Sequence, residues 1–221
     1  MIKELKIENF SNLYWLEEYM TGHKGFICGG CFKNIFDGKK VKDLDIFFEN
    51  EYEWQKAVDY FDERSVGYGF WEEEKVTEED AEYRFYYEND KVKAYKHLKT
   101  GVAVELCRAI FGKPKEIIES FDFTITKFAY YKEEVEDEET KETHIETKII
   151  CDENFFEHLH LKRLVIDDKI PFPMSTFERV IRYVGYGYRP CKETKIKLAK
   201  AIHDMPEQAI TVSNSLYDGM D

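Results

Sequence analysis

A glycine pair followed by two closely spaced aspartates constrains this chain more than any other feature of its sequence. Gly29 and Gly30 end one short apolar run. Asp43 and Asp45 flank Leu44 at the start of the next, which reads DLDIFF. Because side chains i and i+2 of a strand point to the same face, the two carboxylates are expected side by side, while Leu44 enters the core. Adjacent carboxylates repel one another and lose hydration, so a cation is expected to compensate them.

A pair of Mg²⁺ ions would meet this requirement. Carboxylate oxygens are ligands that Mg²⁺ prefers, and two metal ions stabilise both the attacking and the leaving oxygen in a transfer at phosphorus. Glycines lack a Cβ, so their backbone N–H groups can approach a triphosphate closely. A D-x-D pair alone is also common on a solvated edge strand. The Gly-Gly pair upstream favours the metal site.

Composition favours one large domain, or one domain with a small helical appendage. The chain has 221 residues, of which 43% are hydrophobic, enough to bury a substantial core. No apolar run approaches the roughly 20 residues that span a bilayer, and the start MIKELKIENF is too charged for a signal peptide. We therefore expect a cytoplasmic protein with no membrane partner. The five scattered cysteines indicate reduced thiols, and C-x-x-C at Cys28 and Cys31 lacks the second ligand pair of a zinc site.

The formal charge of −13 is unevenly distributed along the chain. Residues 71–82 and residues 132–147 each sum to −6, and both runs are interpreted as solvated loops. Residues 162–200 sum to +6. A basic segment of this kind can face a phosphate-bearing partner, so the acidic total does not exclude RNA.

The order of patterns along the chain predicts an α+β fold. Residues 11–21 have a helical pattern, and residues 26–48 read as strand, glycine turn, helix and strand. A helix is expected over residues 51–62, followed by a three-strand antiparallel meander between residues 83 and 108. A further short helix is expected to begin at Pro114.

The pattern becomes helical towards the C-terminus. An apolar i, i+3, i+4, i+7 stripe consists of Phe177, Val180, Ile181 and Val184. A second helix is expected over residues 192–203. We therefore expect a head domain over residues 1–165 and a short C-terminal helical region over residues 166–221 that packs on it.

Several stretches together resemble the polymerase-β-type nucleotidyltransferases, specifically the head domain of bacterial tRNA nucleotidyltransferases and poly(A) polymerases. GGCFKN, IFDG and DLD follow that family's G-G-x-V-R-D, L-L-G-like turn and D-x-D, with Lys33 in place of its arginine and Asn34 in place of its aspartate. SFDFTITKFAY is similar to its R-R-D-F-T-I-N-A-x-A-Y segment, and its FDFT form also looks like nucleotidyltransferases carried by bacteriophages. The resemblance implies a nucleotidyltransferase-type mixed β-sheet flanked by helices.

The resemblance also implies roles for individual residues. Asp43 and Asp45 would be catalytic metal ligands, and Glu105 in VAVELCR would be the third acid, with Asp122 as its competitor. The expected nucleotide contacts are Gly29, Gly30, Lys33, Asp122, Thr124, Arg179 and Arg182.

The helix that carries Arg179 departs from the family's pattern. TFERVIRYVGYGY resembles the family's P-L-R-I-L-R-A-x-R-F helix, and Arg179 matches an arginine of the base-reading motif, whose aspartate is absent here. Arg182, Tyr183 and Tyr186 share the helix face of Arg179, and that face either holds phosphate and stacks a base or is simply solvated.

The implied activity is transfer of a nucleoside monophosphate from an NTP, such as ATP, to an acceptor hydroxyl with two Mg²⁺ ions. An RNA 3′ end is the first expected acceptor. Two alternatives stay open: a protein or small-molecule acceptor, and a catalytically inactive nucleotide-binding module. The replacements at Lys33 and Asn34 favour the inactive module, whereas the retained acids Asp43, Asp45 and Glu105 oppose it.

Overall fold

A nine-stranded mixed sheet dominates the computed structural model, which describes residues 1–67, 76–77, 79–137 and 141–206. Its strands are β1 (Ile2–Leu5), β2 (Phe26–Cys28), β3 (Asp43–Phe47), β4 (Ser65–Val66), β5 (Tyr83–Glu88), β6 (Val92–His97), β7 (Ala103–Cys107), β8 (Phe128–Glu136) and β9 (Thr143–Asp152). They lie in the order β1-β9-β8-β2-β3-β7-β6-β5-β4. The helices of this part of the chain are α1 (Cys31–Phe36), α2 (Glu51–Asp62) and α3 (Pro114–Glu119). The expected α+β fold class is confirmed.

The pairing around β3 sets the geometry of the centre of the sheet. β3 pairs antiparallel with β2 and parallel with β7. β7, β6 and β5 form the expected antiparallel meander. Leu44 of β3 and Val104 of β7 are fully buried, as the alternating pattern predicts for the inward face. The acids of the two strands alternate with these core residues.

Helix α2 forms and docks for reasons visible in its sequence. The Asn50 side chain caps its start by accepting a hydrogen bond from the backbone N–H of Glu53 at 3.0 Å. Trp54 and Phe61 are buried on one face, and the Trp54 indole N–H donates to the carbonyl oxygen of Leu106 at 3.1 Å. This bond ties α2 to the strand that carries Glu105.

The chain separates into two compact units. The first comprises Met1–Ser120 and Lys127–Cys151, and the second comprises Phe121–Thr126 and Asp152–Asp221. The division at residues 165 and 166 stays a prediction.

The structure refines one local expectation in the first unit and corrects another. The helical pattern over residues 11–21 corresponds to a 3-10 helix over Ser11–Met20, without a side-chain cap at its start. The acidic run over residues 132–147 is not a loop where the structure describes it, because β8 and β9 continue through most of it as a paired hairpin. The other acidic run, residues 71–82, lies mostly outside the described residues.

The second unit is mainly helical. Its elements are a 3-10 turn (Thr124–Thr126), α4 (Phe155–His160), α5 (Pro173–Gly185), α6 (Lys192–His203) and a parallel pair of short strands, β10 (Arg163–Leu164) and β11 (Arg189–Pro190). Of the apolar stripe expected on α5, only Val180 is buried, whereas Phe177, Ile181 and Val184 are exposed. No helix among the described residues is both long and apolar enough to cross a membrane.

Candidate active site

One row of residues crosses five strands of the large sheet and contains two of the three expected catalytic acids. The row runs from Tyr87 through Ala94, Glu105 and Asp45 to Cys28. Asp45 and Glu105 are registered partners on parallel strands, so their side chains project from the same face of the sheet. Asp43 lies two residues before Asp45 on β3 and is exposed. The fold therefore brings the three acids together.

Asp45 and Glu105 share a hydrogen bond between their carboxyl groups. Such a bond requires one of the two groups to hold a proton. Burial raises the pKa of Asp45 well above its usual range, and the charges of Glu105 and Asp43 raise it further. Burial also raises the pKa of Glu105, while its hydrogen bond from Tyr87 opposes the shift. If both carboxyl groups were ionised, two like charges would lie in a poorly hydrated place. The pair therefore retains a proton until a cation compensates the charge.

Tyr87 contacts the site, although its sequence context gives no signal of this role. Its hydroxyl donates to the Glu105 carboxylate, and burial together with the negative charge of Glu105 raises the pKa of Tyr87. Ala94 lies between the two residues in the row, and its small side chain leaves room for the tyrosine to reach across β6. A register shift between Phe85 and Tyr87 changes where Tyr87 points, as β-bulges commonly do.

Three buried thiols surround Asp45. Cys28 is the registered partner of Asp45 on β2, and Cys31 and Cys107 are also buried beside it. Burial raises the pKa of each thiol well above its usual value, and the negative charge of Asp45 adds to the shift. The thiols are therefore neutral near pH 7 and act as small apolar groups that help to dehydrate the carboxylate.

The glycine turn lies next to these acids. Gly29 has φ +96°, a conformation that residues with a Cβ rarely adopt, and its N–H donates to the carbonyl oxygen of Phe128 at 3.1 Å. Gly30 follows at the start of α1, and the turn leads from β2 into that helix. The glycine pair thus closes a sharp corner beside the strand that carries Asp45.

Lys33 is the cationic residue that the structure places near these acids. Its side chain is buried, and its ammonium donates to Asn34 Oδ1 at 3.0 Å. Burial lowers the pKa of Lys33, while the negative charge of Asp43 opposes that shift. Lys33 therefore interacts electrostatically with Asp43, and its positive charge would also attract a phosphate group.

The remaining predicted nucleotide contacts belong to the second unit, where most of them have internal partners. Asp122 is buried and accepts hydrogen bonds from Thr176 Oγ1 at 2.8 Å and from Arg179 Nη2 at 3.0 Å. The hydroxyl of Thr124 bonds to His158 Nδ1 at 2.8 Å. Arg182 is exposed on α5. These bonds make Asp122 an organiser of Arg179, and the nucleotide contacts of the four residues stay a prediction.

The donor chemistry of the acids fits magnesium, because Mg²⁺ prefers carboxylate oxygens and the like charges need a cation. In the described part of the chain, no group of three or more His, Cys, Asp or Glu side chains is already spaced to hold a metal ion. Asp45 and Glu105 bond to each other instead. A metal would therefore have to replace the proton that they share.

Solved structures of tRNA-maturing enzymes are similar to this chain in fold. A CCA-adding enzyme in complex with CTP is 14% identical, with a TM-score of 0.56, and the match covers 92% of this chain and 47% of that one. The Thermotoga maritima CCA-adding enzyme complexed with tRNA is 14% identical, with a TM-score of 0.54 and coverages of 92% and 46%. A structure described as a tRNA-processing enzyme is 16% identical, with a TM-score of 0.52 and coverages of 97% and 54%. The chain thus spans about half the length of these structures and has a nucleotidyltransferase-like fold.

Sequence comparison gives a more specific result. No curated protein matches the chain. A family model described as "Gad2: Gabija anti-defense 2 family protein" matches residues 1–162. This match covers most of the chain, including β1 to β9 and the three acids at the centre of the sheet. The chain therefore belongs to the Gad2 family, Gabija anti-defense 2.

Proposed function

We propose that this protein is a nucleotidyltransferase: an acceptor hydroxyl attacks the α-phosphorus of an NTP, the bond between the α- and β-phosphates breaks, and pyrophosphate leaves. The observation that carries this proposal is the registered pairing of Asp45 with Glu105 on parallel strands, with Asp43 on the same strand as Asp45. Three carboxylates that converge beside a glycine turn have little value for stability, because their repulsion and dehydration are both unfavourable. The arrangement is useful where a divalent cation and a triphosphate bind.

Each residue of the first unit has a distinct part in this proposal. Asp43, Asp45 and Glu105 would hold two Mg²⁺ ions, which stabilise negative charge on the attacking and leaving oxygens when bound. Asp45 and Glu105 would give up their shared proton on taking up a cation, and the freed Glu105 carboxylate would accept the proton of the acceptor hydroxyl.

The triphosphate would be held by the glycine turn and by Lys33. The N–H of Gly29 already donates to Phe128, so Gly29 would contribute a corner without a Cβ, and Gly30 at the start of α1 would offer its backbone N–H to a phosphate oxygen. Lys33 adds positive charge close to Asp43. In the second unit, Arg179, held by Asp122, and the exposed Arg182 are proposed to contact the nucleotide, with Thr124 as a supporting residue.

An RNA 3′ end is the first acceptor that we propose. The structures of similar fold include CCA-adding enzymes complexed with CTP and with tRNA, which supports an RNA acceptor. The basic segment over residues 162–200 provides a surface of suitable charge. The family's name also favours a second candidate, in which the acceptor is a protein hydroxyl on a component of the defence system named Gabija, as expected for a phage-encoded protein that counters it.

A labelling experiment tests the proposal and separates the acceptors. The protein is incubated with each α-³²P-labelled NTP, Mg²⁺ and either total RNA or a bacterial extract that contains Gabija, and the label is located by denaturing gels and by nuclease or protease digestion. Label in RNA supports the first acceptor, and label in protein supports the second. No transfer with any NTP or acceptor preparation would overturn the proposal.

Matched aspartate variants show whether a signal belongs to this site. Asp43→Asn is expected to lower transfer by about 100-fold or more, because the lost charge stabilisation amounts to several kcal/mol. Asp59→Asn, at an exposed position on α2, removes the same charge and is expected to leave transfer unchanged. Equal activity of the two variants would show that the acids of β3 are not catalytic.

A further inference from the structure

A second candidate site lies in a cleft of about 430 Å³ in the first unit. Its wall contains Asn12 and Trp15 from the 3-10 helix, and Lys39 and Lys40 from the segment before β3. Thr100 lies on another side, and the buried side chain of Val41 forms part of the apolar lining. We call this the Trp15 cleft. A volume of this size is typical of sites for small organic ligands.

The aromatic side of the cleft is rigid but accessible. Trp15 is 38% exposed, and its ring meets Tyr19 edge-on, at 5.8 Å between centroids and 89° between planes. Tyr19 is itself fixed, because its hydroxyl bonds to Thr100 Oγ1 at 2.9 Å. A tryptophan ring held by its edge contact and partly exposed is suited to stack on a planar group.

Part of the cleft lining is cationic. Lys39 and Lys40 are both exposed. Lys42 and Lys99, which are close in sequence to residues that line the cleft, are exposed as well. Asp37 lies 3.5 Å from the Lys39 ammonium and compensates part of this charge. The chain as a whole has a net charge of −13, whereas this cluster is locally positive. A locally positive cluster attracts phosphate groups.

The cleft adjoins the strands that carry the candidate catalytic acids. Lys40 lies three residues before Asp43, so at most roughly 11 Å of extended backbone separates them. Thr100 precedes β7 by a similarly short stretch, and the two segments are joined by the bond from Ala103 N–H to the carbonyl oxygen of Lys42 at 2.8 Å. A ligand bound in the cleft would therefore lie near the beginning of β3.

We propose that the Trp15 cleft binds one nucleotide of a single-stranded RNA, with its base stacked on Trp15 and its phosphate held by Lys39 and Lys40. A single strand is required because a base within a duplex does not offer its face to an aromatic ring. The inference rests on the proposed function only in taking RNA as the acceptor, since binding in the cleft needs neither NTP nor catalysis.

Tryptophan fluorescence tests the stacking directly. Penta-adenylate RNA is titrated into the full chain without NTP, and binding is followed by Trp emission and, with a 5′-fluorescein label, by anisotropy. Trp15→Ala is expected to weaken binding by roughly 5- to 150-fold, the range for loss of one stacked base. Trp15→Phe retains a ring, so it is expected to bind nearly as well while losing the fluorescence quench. Quenching that persists unchanged in Trp15→Phe would overturn the assignment.

Lysine variants with a matched charge control test the phosphate contact. Lys39→Ala with Lys40→Ala is expected to weaken binding and to reduce the salt slope of log K by about 0.7, for one neutralised phosphate on a single strand. Lys24→Ala with Lys115→Ala removes the same charge from exposed positions outside the cleft and is expected to retain binding. Equal affinities for the two double variants would contradict the proposal.

Two further comparisons distinguish the ligand and the dependence on catalysis. AMP that quenches Trp15 as strongly as penta-adenylate, at equal concentration, would show a site for free nucleotides and overturn the proposal of a bound strand. If no NTP yields transfer but penta-adenylate still quenches Trp15, the proposed function fails and the cleft stands. If RNA is labelled and Trp15→Ala leaves its KM unchanged, the cleft proposal fails and the function stands.

Discussion

Glu105 has two hydrogen-bonding neighbours, and both favour the charged form that its proposed use as a base requires. Asp45, which retains a proton, and the hydroxyl of Tyr87 both act to lower the pKa of Glu105 through their hydrogen bonds to its carboxylate. The tyrosine thus counters part of the effect of burial on the Glu105 pKa. A base that must be ionised near neutral pH in a half-buried place benefits from such a donor.

Replacing Tyr87 with phenylalanine tests this positioning role. Without the donated hydrogen bond the pKa of Glu105 rises further, so the acidic limb of the pH profile of kcat/KM is expected to move up by about one pH unit. At neutral pH the rate is expected to fall by about 10-fold or less. Tyr86→Phe, at the exposed neighbouring position, serves as the control. An unchanged limb in Tyr87→Phe would show that the tyrosine only packs there.

The sequence placed the three acids on strands, where the structure also has them, but their catalytic role stays a prediction and their hydrogen-bonding partners were not predicted. Asp43, Asp45 and Glu105 stand out because charged residues interrupt apolar strand patterns. Tyr87 does not, because YRFYYE contains three tyrosines and the register shift before Tyr87 decides which one reaches the acid. Trp15 has no sequence signal either, because the cleft that it lines is formed by segments that are distant from it in the sequence.

Among the elements, those with strong local signals were predictable. The meander over β5 to β7 has turn residues between alternating strands, and α2 has a cap and an apolar face. The hairpin of β8 and β9 was missed in its acidic part because charge favours a loop, whereas the ladder of backbone bonds and pairs such as Lys148 with Glu133 sustains the strands. On α5, helical periodicity correctly predicted a helix but not which apolar residues would be buried.

The glycine turn between β2 and α1 can be tested as an element. Gly29→Ala places a Cβ at φ +96°, so we expect it to lower the free energy of unfolding by about 1–2 kcal/mol and to weaken NTP binding. Gly185→Ala, at the end of α5 with open space around the position, is expected to be neutral or slightly stabilising. Urea unfolding and equilibrium NTP binding provide the measurements. A Gly29→Ala protein as stable as Gly185→Ala would contradict the proposed strain.

At the scale of the whole molecule, Asp45 and Glu105 are expected to make stability depend on pH and on divalent ions. The folded-state pKa values of Asp45 and Glu105 are raised, so their contribution is most favourable below about pH 4. It is lost as the pH rises through the raised values, because the unfolded chain ionises freely while the folded chain resists ionisation. A bound cation should reverse this loss.

Thermal unfolding measures that dependence. Mg²⁺ is expected to raise the Tm more at pH 8 than at pH 5, and Asp45→Asn is expected to raise the Tm in the absence of Mg²⁺ by a few degrees, at about 2–4 °C per kcal/mol for a chain of this size. In Asp45→Asn the response to Mg²⁺ should be much reduced. Ca²⁺-free buffer with EDTA provides the baseline, and Asp59→Asn provides the charge-matched control. An Mg²⁺ response that is equal at both pH values would refute this account.

The position of the acids within the sheet has a consequence for how the protein opens. β3 and β7 lie in the interior of the order of nine strands, with β1 and the two-residue β4 at its edges. Amide protons at the edges should therefore exchange with solvent by local fraying, whereas those of Leu44 and Val104 should exchange only when the sheet as a whole unfolds. The candidate site is thus protected from local fraying, because the loss of an edge strand leaves the pairing of Asp45 with Glu105 in place.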